Sequence, residues 1–165
     1  MADFFESHDN ALNPLDNVEE ILNANNWTFD RMGDDELIVE VRGKSGSYRL
    51  FFLWQAEMSA MQFCCQYDLT IPKDNYATAA MTLMGINETV WMGHFDLPHE
   101  NGKPSYRHTC LFRGMPEAGS QHLEDMVDVA LALCERYHPV FSLLSSSKPA
   151  DTNLSLALMD TVGES

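Results

Sequence analysis

The apolar residues of this chain follow a helical spacing in some segments and an alternating spacing in others. A period near 3.6 begins at the capping pair Asn13-Pro14 and predicts a short amphipathic helix that ends near Asn25 and Asn26. From Trp27 to Leu69 the period shortens toward two, which predicts four strands in an antiparallel meander. The third of them, Arg49–Trp54, is apolar on both faces, so we expect a central strand whose second side is covered by helices or by a partner.

The second half of the chain returns to helical patterns around one further hairpin. Residues 71–74 end the sheet and cap a helix with a broad apolar face, which ends at Gly93. Residues 94–97 and 104–113 then predict two paired strands. A long helix follows, and we expect Pro139 to interrupt it.

This order of elements predicts an α+β fold in which helices flank an antiparallel β-sheet. Residues 1–12 are acidic without a sustained period and predict a loose tail. Residues 13–147 then form one domain. After the serine run Ser145–Ser147, residues 148–165 predict a docking helix and tail on a short tether.

Length and charge limit the classes of protein that this chain belongs to. Its 165 residues and 18.7 kDa fit one domain with a real hydrophobic core. Asp and Glu number 25 against 10 Lys and Arg, which gives a net charge of -15. Because such a surface repels phosphate backbones and anionic lipid headgroups, neither nucleic acid nor membrane is an expected partner.

The lack of a recognisable targeting signal and the use of cysteine together predict a cytoplasmic protein. Residues 1–13 lack the basic and apolar regions of a secretory signal, and no apolar run is long enough to span a bilayer. The four cysteines, Cys64, Cys65, Cys110 and Cys134, show no Cys-x-x-Cys spacing. They are expected to be reduced and buried, because free cysteine packs like a small apolar residue.

Several strings, in this order along the chain, resemble one known family. They are Asn13-Pro14-Leu15-Asp16, Asp34-Asp35-Glu36-Leu37, Ile86-Asn87-Glu88, Trp91-Met92-Gly93-His94-Phe95-Asp96-Leu97, Phe112-Arg113-Gly114 and Asp160-Thr161-Val162-Gly163-Glu164. Together they resemble the alphaproteobacterial branch of the YbjN-domain family of bacterial sensory transduction regulators. The resemblance runs from Asn13 to Glu164, and several strings in order are more specific than one motif.

The resemblance implies an antiparallel sheet flanked by helices, similar to the fold of type III secretion chaperones. Those chaperones are small, acidic and usually homodimeric proteins that bind segments of other proteins. The family offers no established catalytic residues to assign in this chain. A likeness of fold to chaperones is an analogy, because one fold hosts unrelated functions.

The polar residues of the second hairpin are the strongest candidates for chemistry. His94, Asp96, His99 and His108 carry imidazole and carboxylate groups that suit zinc or another divalent metal, but they match no recognised ligand spacing. Cys110 lies two residues from His108, yet no third orienting group is visible.

A second motif, Gly43-Lys44-Ser45-Gly46, lacks the earlier glycine of a P-loop, so we interpret it as a hairpin turn. We therefore expect no catalytic residue, no metal ligand and no cofactor.

These features favour a non-enzymatic protein-interaction module, chaperone-like or regulatory, that binds protein segments and self-associates as a homodimer. The expected contact residues are Trp54, Trp91, Leu154 and Leu158. The alternative for the two tryptophans is that they fill the core. The alternative function is a metal-dependent enzyme or metal sensor built on the histidine and aspartate cluster.

Overall fold

The computed structural model describes residues 13–115, 119–146 and 157–159. Within these ranges the helices are α1 Pro14–Ala24, α2 Tyr76–Thr89 and α3 Ser120–Ser145, and the strands are β1 Phe29–Met32, β2 Glu36–Arg42, β3 Ser47–Gln55, β4 Ala60–Tyr67, β5 His94–Asp96 and β6 Ser105–Leu111. The predicted acidic tail, residues 1–12, lies outside the described residues.

The six strands form one antiparallel sheet in the order β1-β2-β3-β4-β6-β5. The predicted four-strand meander occupies its first four places, and β3 is a central strand, as expected. The second hairpin joins β4 through β6, so β5 forms one edge of the sheet and β1 forms the other. The α+β fold predicted from the sequence is therefore confirmed.

The helices pack against one face of the sheet, where alternate strand residues build the core. On β3 these residues are Tyr48, Leu50, Phe52 and Trp54, and all four are buried. α1 and α3 contact each other, and they also contact β3 and β4 respectively, while α2 contacts β5. Burial of this apolar surface is the main stabilising term of the fold.

Two side chains tie the helices to each other and to the sheet. The Tyr67 hydroxyl donates a hydrogen bond to the Cys134 carbonyl of α3 at 2.6 Å. The Asn75 amide, just before α2, donates to the carbonyls of Leu144 and Ser146 at 2.9 and 2.8 Å. Asn75 thereby satisfies carbonyls that the end of α3 leaves without a helical partner.

The expectation that Pro139 interrupts the last helix is wrong, because α3 continues through it to Ser145. Pro139 removes one helical hydrogen bond and costs about 3 kcal/mol. Beyond it, Val140, Phe141 and Leu144 are fully buried. Each contributes roughly 1.5–3 kcal/mol of burial, so together they outweigh the cost of the proline.

The segment 148–165 is described only at residues 157–159, where the chain is helical. Ala157 is 9% exposed and belongs to the core cluster, and Leu158 is partly buried against the same cluster. Part of the predicted docking helix therefore packs on its own domain.

Candidate functional site

The face of the sheet that no described helix covers presents rows of side chains across neighbouring strands. Cα partners in the register place Phe51 of β3 beside Cys64 of β4, then Arg107 of β6 and His94 of β5. A second row runs from Glu36 through Leu53 and Gln62 to Thr109. Since side chains alternate between the two faces of a strand, these residues point away from the helices.

A groove of about 540 Å³ lies along these two rows. Phe51, Leu53 and Cys64 are half-buried and give it an apolar floor. Arg107 and His94 lie at its β5–β6 end, and Glu36 lies at the opposite side. The groove thus combines an apolar floor with a few charged groups at its rim, which is the composition of many binding sites.

Acidic and basic side chains nearly balance on this face, although the chain as a whole is strongly acidic. Arg49 forms an ion pair with Glu40 at 2.7 Å, and Arg107 forms one with Asp96 at 3.3 Å. These pairs are exposed and contribute little to stability. Their consequence is local neutrality, which lets a ligand approach without the repulsion expected from the net charge of -15.

The four predicted contact residues lie in different environments. Trp54 is only 6% exposed and packs edge-on against Phe112, so it fills the core and offers little surface to a partner. Trp91, just after α2, is 78% exposed. Leu158 packs partly against its own core, and Leu154 lies outside the described residues.

The four residues of the histidine and aspartate cluster lie on two faces of the sheet and in the turn between β5 and β6. His94 pairs with Arg107 on the uncovered face, whereas His108 pairs with Phe63 on the face toward the helices. The His99 ring contacts Tyr76 in the turn, and Asp96 binds Arg107. Within residues 13–115, 119–146 and 157–159, no three His, Cys, Asp or Glu side chains are placed to share a metal ion.

Three of the four cysteine thiols are buried, which limits their reactivity. All four cysteines are free, and Cys65, Cys110 and Cys134 are buried. Burial raises the pKa of the Cys110 thiol, and burial also raises the pKa of Cys64 in spite of nearby Ser105 and Arg107. A raised thiol pKa lowers the fraction of reactive thiolate at neutral pH.

The glycine-rich hairpin after β2 is occupied by an acidic side chain. Glu135 of α3 accepts a hydrogen bond from the backbone N–H of Ser45 at 2.9 Å. Gly43 donates its own N–H to the Gly46 carbonyl at 2.8 Å. These bonds confirm a hairpin turn. The Ser45 N–H, which would bind a phosphate oxygen in a P-loop, is bound by the Glu135 carboxylate instead.

Two surfaces carry apolar residues that the sequence pattern did not single out as contact residues. One is the uncovered face with Phe51 and Leu53, for which the two-sided apolar pattern of β3 was the available signal. The other is the outer face of α2, where Met81 and Met84 are 68% and 62% exposed. The sequence feature that could have revealed this face is the lack of any charged residue from Tyr76 to Asn87.

Of the helices in the described part of the chain, none has the length and hydropathy that crossing a membrane requires. Within the residues that the structure describes, the fold and surfaces define an α+β protein whose sheet is covered by helices on one face.

Comparison with known families identifies its class further. The family model YbjN, described as "Putative bacterial sensory transduction regulator", matches residues 14–143. The chain therefore belongs to the YbjN family, and the family predicted from the sequence is confirmed.

A solved structure of a YbjN protein has a similar fold. It is titled "Crystal structure of YbjN, a putative transcription regulator from E. coli", and the two chains superpose with a TM-score of 0.52 at 11% sequence identity. The match covers 88% of this chain and 93% of the E. coli chain. No curated protein sequence matches this chain.

Proposed function

We propose that this protein is a non-enzymatic regulatory module that acts by binding an extended segment of another protein in the groove of its uncovered sheet face. The observation that carries the proposal is the apolar floor of Phe51, Leu53 and Cys64 on a face that no described helix covers. The family's description as a regulator supports a role of this kind.

The geometry of the groove suits an extended segment with apolar side chains. Because strand residues two apart lie on one face, Phe51 and Leu53 offer two neighbouring apolar contacts along β3. An extended ligand can place alternate side chains over them. Arg107 and His94 at the end of the groove provide donors that fix the orientation of the segment.

In its more specific form, the proposal is that the protein binds its partner in the manner of type III secretion chaperones, which bind segments of other proteins.

The four free cysteines, three of them buried, support a reducing compartment such as the cytoplasm.

Selection from a phage-displayed library of random peptides tests the proposal. Peptides selected on the wild-type protein are synthesised, and their affinities are measured by fluorescence anisotropy. We expect Phe51→Gln and Leu53→Gln each to weaken binding by about tenfold, because central apolar contacts carry most of the energy of an interface. Met58→Gln is the matched control, since Met58 is 59% exposed and lies outside the groove.

Hydrogen exchange of the complex gives an independent readout of the binding site. Protection of β3 and β4 on peptide binding supports the groove. Peptides that bind Phe51→Gln and Leu53→Gln as tightly as wild type contradict the proposal, as does a library that yields no binder to a correctly folded protein.

A further inference from the structure

Helix α2 is apolar on both its inner and its outer face. Ala79, Leu83 and Ile86 are buried against the domain. On the opposite side, the outer face of α2 consists of Ala77, Ala80, Met81, Met84 and Gly85, and all five residues are exposed. A helix that is apolar all round is normally buried on all sides, so this exposure in a single chain indicates that the outer face has a partner.

The exposed methionines make the outer face of α2 unusual for a surface helix. Met81 and Met84 are 68% and 62% exposed, and the exposed Trp91 follows the end of the helix. No residue in the part of the chain that the structure describes covers them. Methionine packs adaptably against irregular surfaces and is frequent at protein-binding faces.

We propose that the outer face of α2 is covered by the same face of a second copy of this chain, in a two-fold symmetric homodimer. The charge distribution favours this occupant. Two copies that each carry a charge of -15 repel one another over most approaches. The outer face of α2 carries no charge until Glu88 near its end, so it allows the two copies to meet with little charge desolvation.

The sizes of the residues on the outer face of α2 suit a self-complementary contact. Ala77, Ala80 and Gly85 are small and alternate with the large side chains of Met81 and Met84. In an isologous dimer the same face is presented twice, so the methionines of one copy can pack over the small residues of the other. Small residues also allow two helix axes to approach closely.

A basic partner protein is a less suitable occupant, because the outer face of α2 offers it no carboxylate to bind between Tyr76 and Asn87. Trp91, which is 78% exposed, lies two residues beyond the end of α2 and adds exposed apolar area there. A dimer contact needs this added area, because stable interfaces bury about 800 Å² on each partner. The proposal does not depend on the peptide groove, which lies on the uncovered face of the sheet.

Light scattering coupled to size exclusion, over a series of concentrations, tests the proposal with the full chain. We expect the wild type to have twice the chain mass of 18.7 kDa. Met81→Glu and Met84→Glu should each raise the dimer dissociation constant by about a hundredfold or more, because two-fold symmetry brings two carboxylates into one apolar contact. Met58→Glu, at a similarly exposed methionine outside α2, should remain a dimer.

Proximity can be tested without disrupting the interface. In a Met84→Cys variant, a short bismaleimide should link two chains, whereas Met58→Cys should give only the background of the wild type. Circular dichroism checks that each variant is folded. A wild type that is a monomer at every concentration overturns the proposal, and so does a dimer that survives both glutamate substitutions. A monomer that Met84→Glu destabilises would assign the outer face of α2 to a segment of the same chain.

Discussion

The side-chain amide of Asn87 on α2 forms two hydrogen bonds with the backbone of Phe95 on β5. Its Nδ2 donates to the Phe95 carbonyl at 3.0 Å, and its Oδ1 accepts from the Phe95 N–H at 2.8 Å. The other side of β5 pairs with β6. Asn87 therefore takes the place of a neighbouring strand at this edge of the sheet and keeps it from pairing with other chains.

Replacing Asn87 should destabilise the protein through the edge strand. Asn87→Ala leaves the N–H and the carbonyl of Phe95 without their partner, so we expect a loss of about 1–3 kcal/mol in the free energy of unfolding. Urea denaturation measures it. Glu88→Ala, at the exposed neighbouring position, is the control and should change stability by less than about 0.5 kcal/mol. Equal stability of both variants would contradict this role of Asn87.

Local patterns predicted the strands and the first helix because the signal and its cause lie close together in the chain. The Asn13 side chain caps α1 by accepting from the Leu15 N–H at 2.9 Å, a contact between residues two apart. The alternation of apolar and polar residues along β2 likewise indicates which of its residues face the core. Such features need no knowledge of the rest of the fold.

Features that depend on distant residues could not be predicted from the pattern alone. Asn87 lies within one of the strings that resemble the family. Its role at the sheet edge can be inferred only when the position of Phe95, across a turn, is known. By the local rule, Pro139 predicts the end of a helix. The burial of Phe141 against Tyr67 and Phe95, which offsets the proline, is a tertiary contact that the local pattern does not show. The broad apolar face predicted for α2 did not separate the buried side of the helix from the exposed one for the same reason, since periodicity does not tell which apolar side is left exposed.

The turn between β2 and β3 requires glycine at position 43 because of a side chain from α3. A Cβ atom at Gly43 would collide with the carboxylate of Glu135 and approach the Tyr48 ring to 2.9 Å. We expect Gly43→Ala to cost about 1–3 kcal/mol, as in other overpacked sites. Thermal or urea unfolding measures the loss.

A double-mutant cycle separates this collision from an effect on the turn itself. In a Glu135→Ala background the obstructing carboxylate is absent, so Gly43→Ala should cost clearly less than in the wild type. The same cost in both backgrounds would place the origin in the contact with the Tyr48 ring or in the backbone of the turn.

His108 should make stability depend on pH. Burial, followed by the charges of His122 and His94, lowers the pKa of His108 from its ordinary 6.5 in the folded protein. Between the two pKa values the unfolded chain binds more protons, so the free energy of unfolding rises with pH in that window. Stability should therefore fall as the pH drops below about 6.5 and level off once folded His108 is also protonated.

Urea denaturation between pH 7.5 and pH 5 checks this sign, with His108→Gln as the test variant. The substitution should reduce the slope of stability against pH, and His99→Gln, at an exposed histidine of the turn, controls for the loss of an imidazole. An unaltered slope in His108→Gln would assign the pH dependence to other groups.

The short described part of the C-terminal segment contributes to the stability of its own domain. Ala157 is 9% exposed within the core cluster, while Met159, two residues on, is 68% exposed. Ala157→Asp places a carboxylate in an apolar site and should cost about 1–3 kcal/mol, whereas Met159→Asp should have little effect. Because α2 rather than this segment is the proposed dimer contact, light scattering should show both variants as dimers wherever they are folded. Dissociation of the Ala157→Asp dimer without loss of stability would instead place the C-terminal segment between subunits.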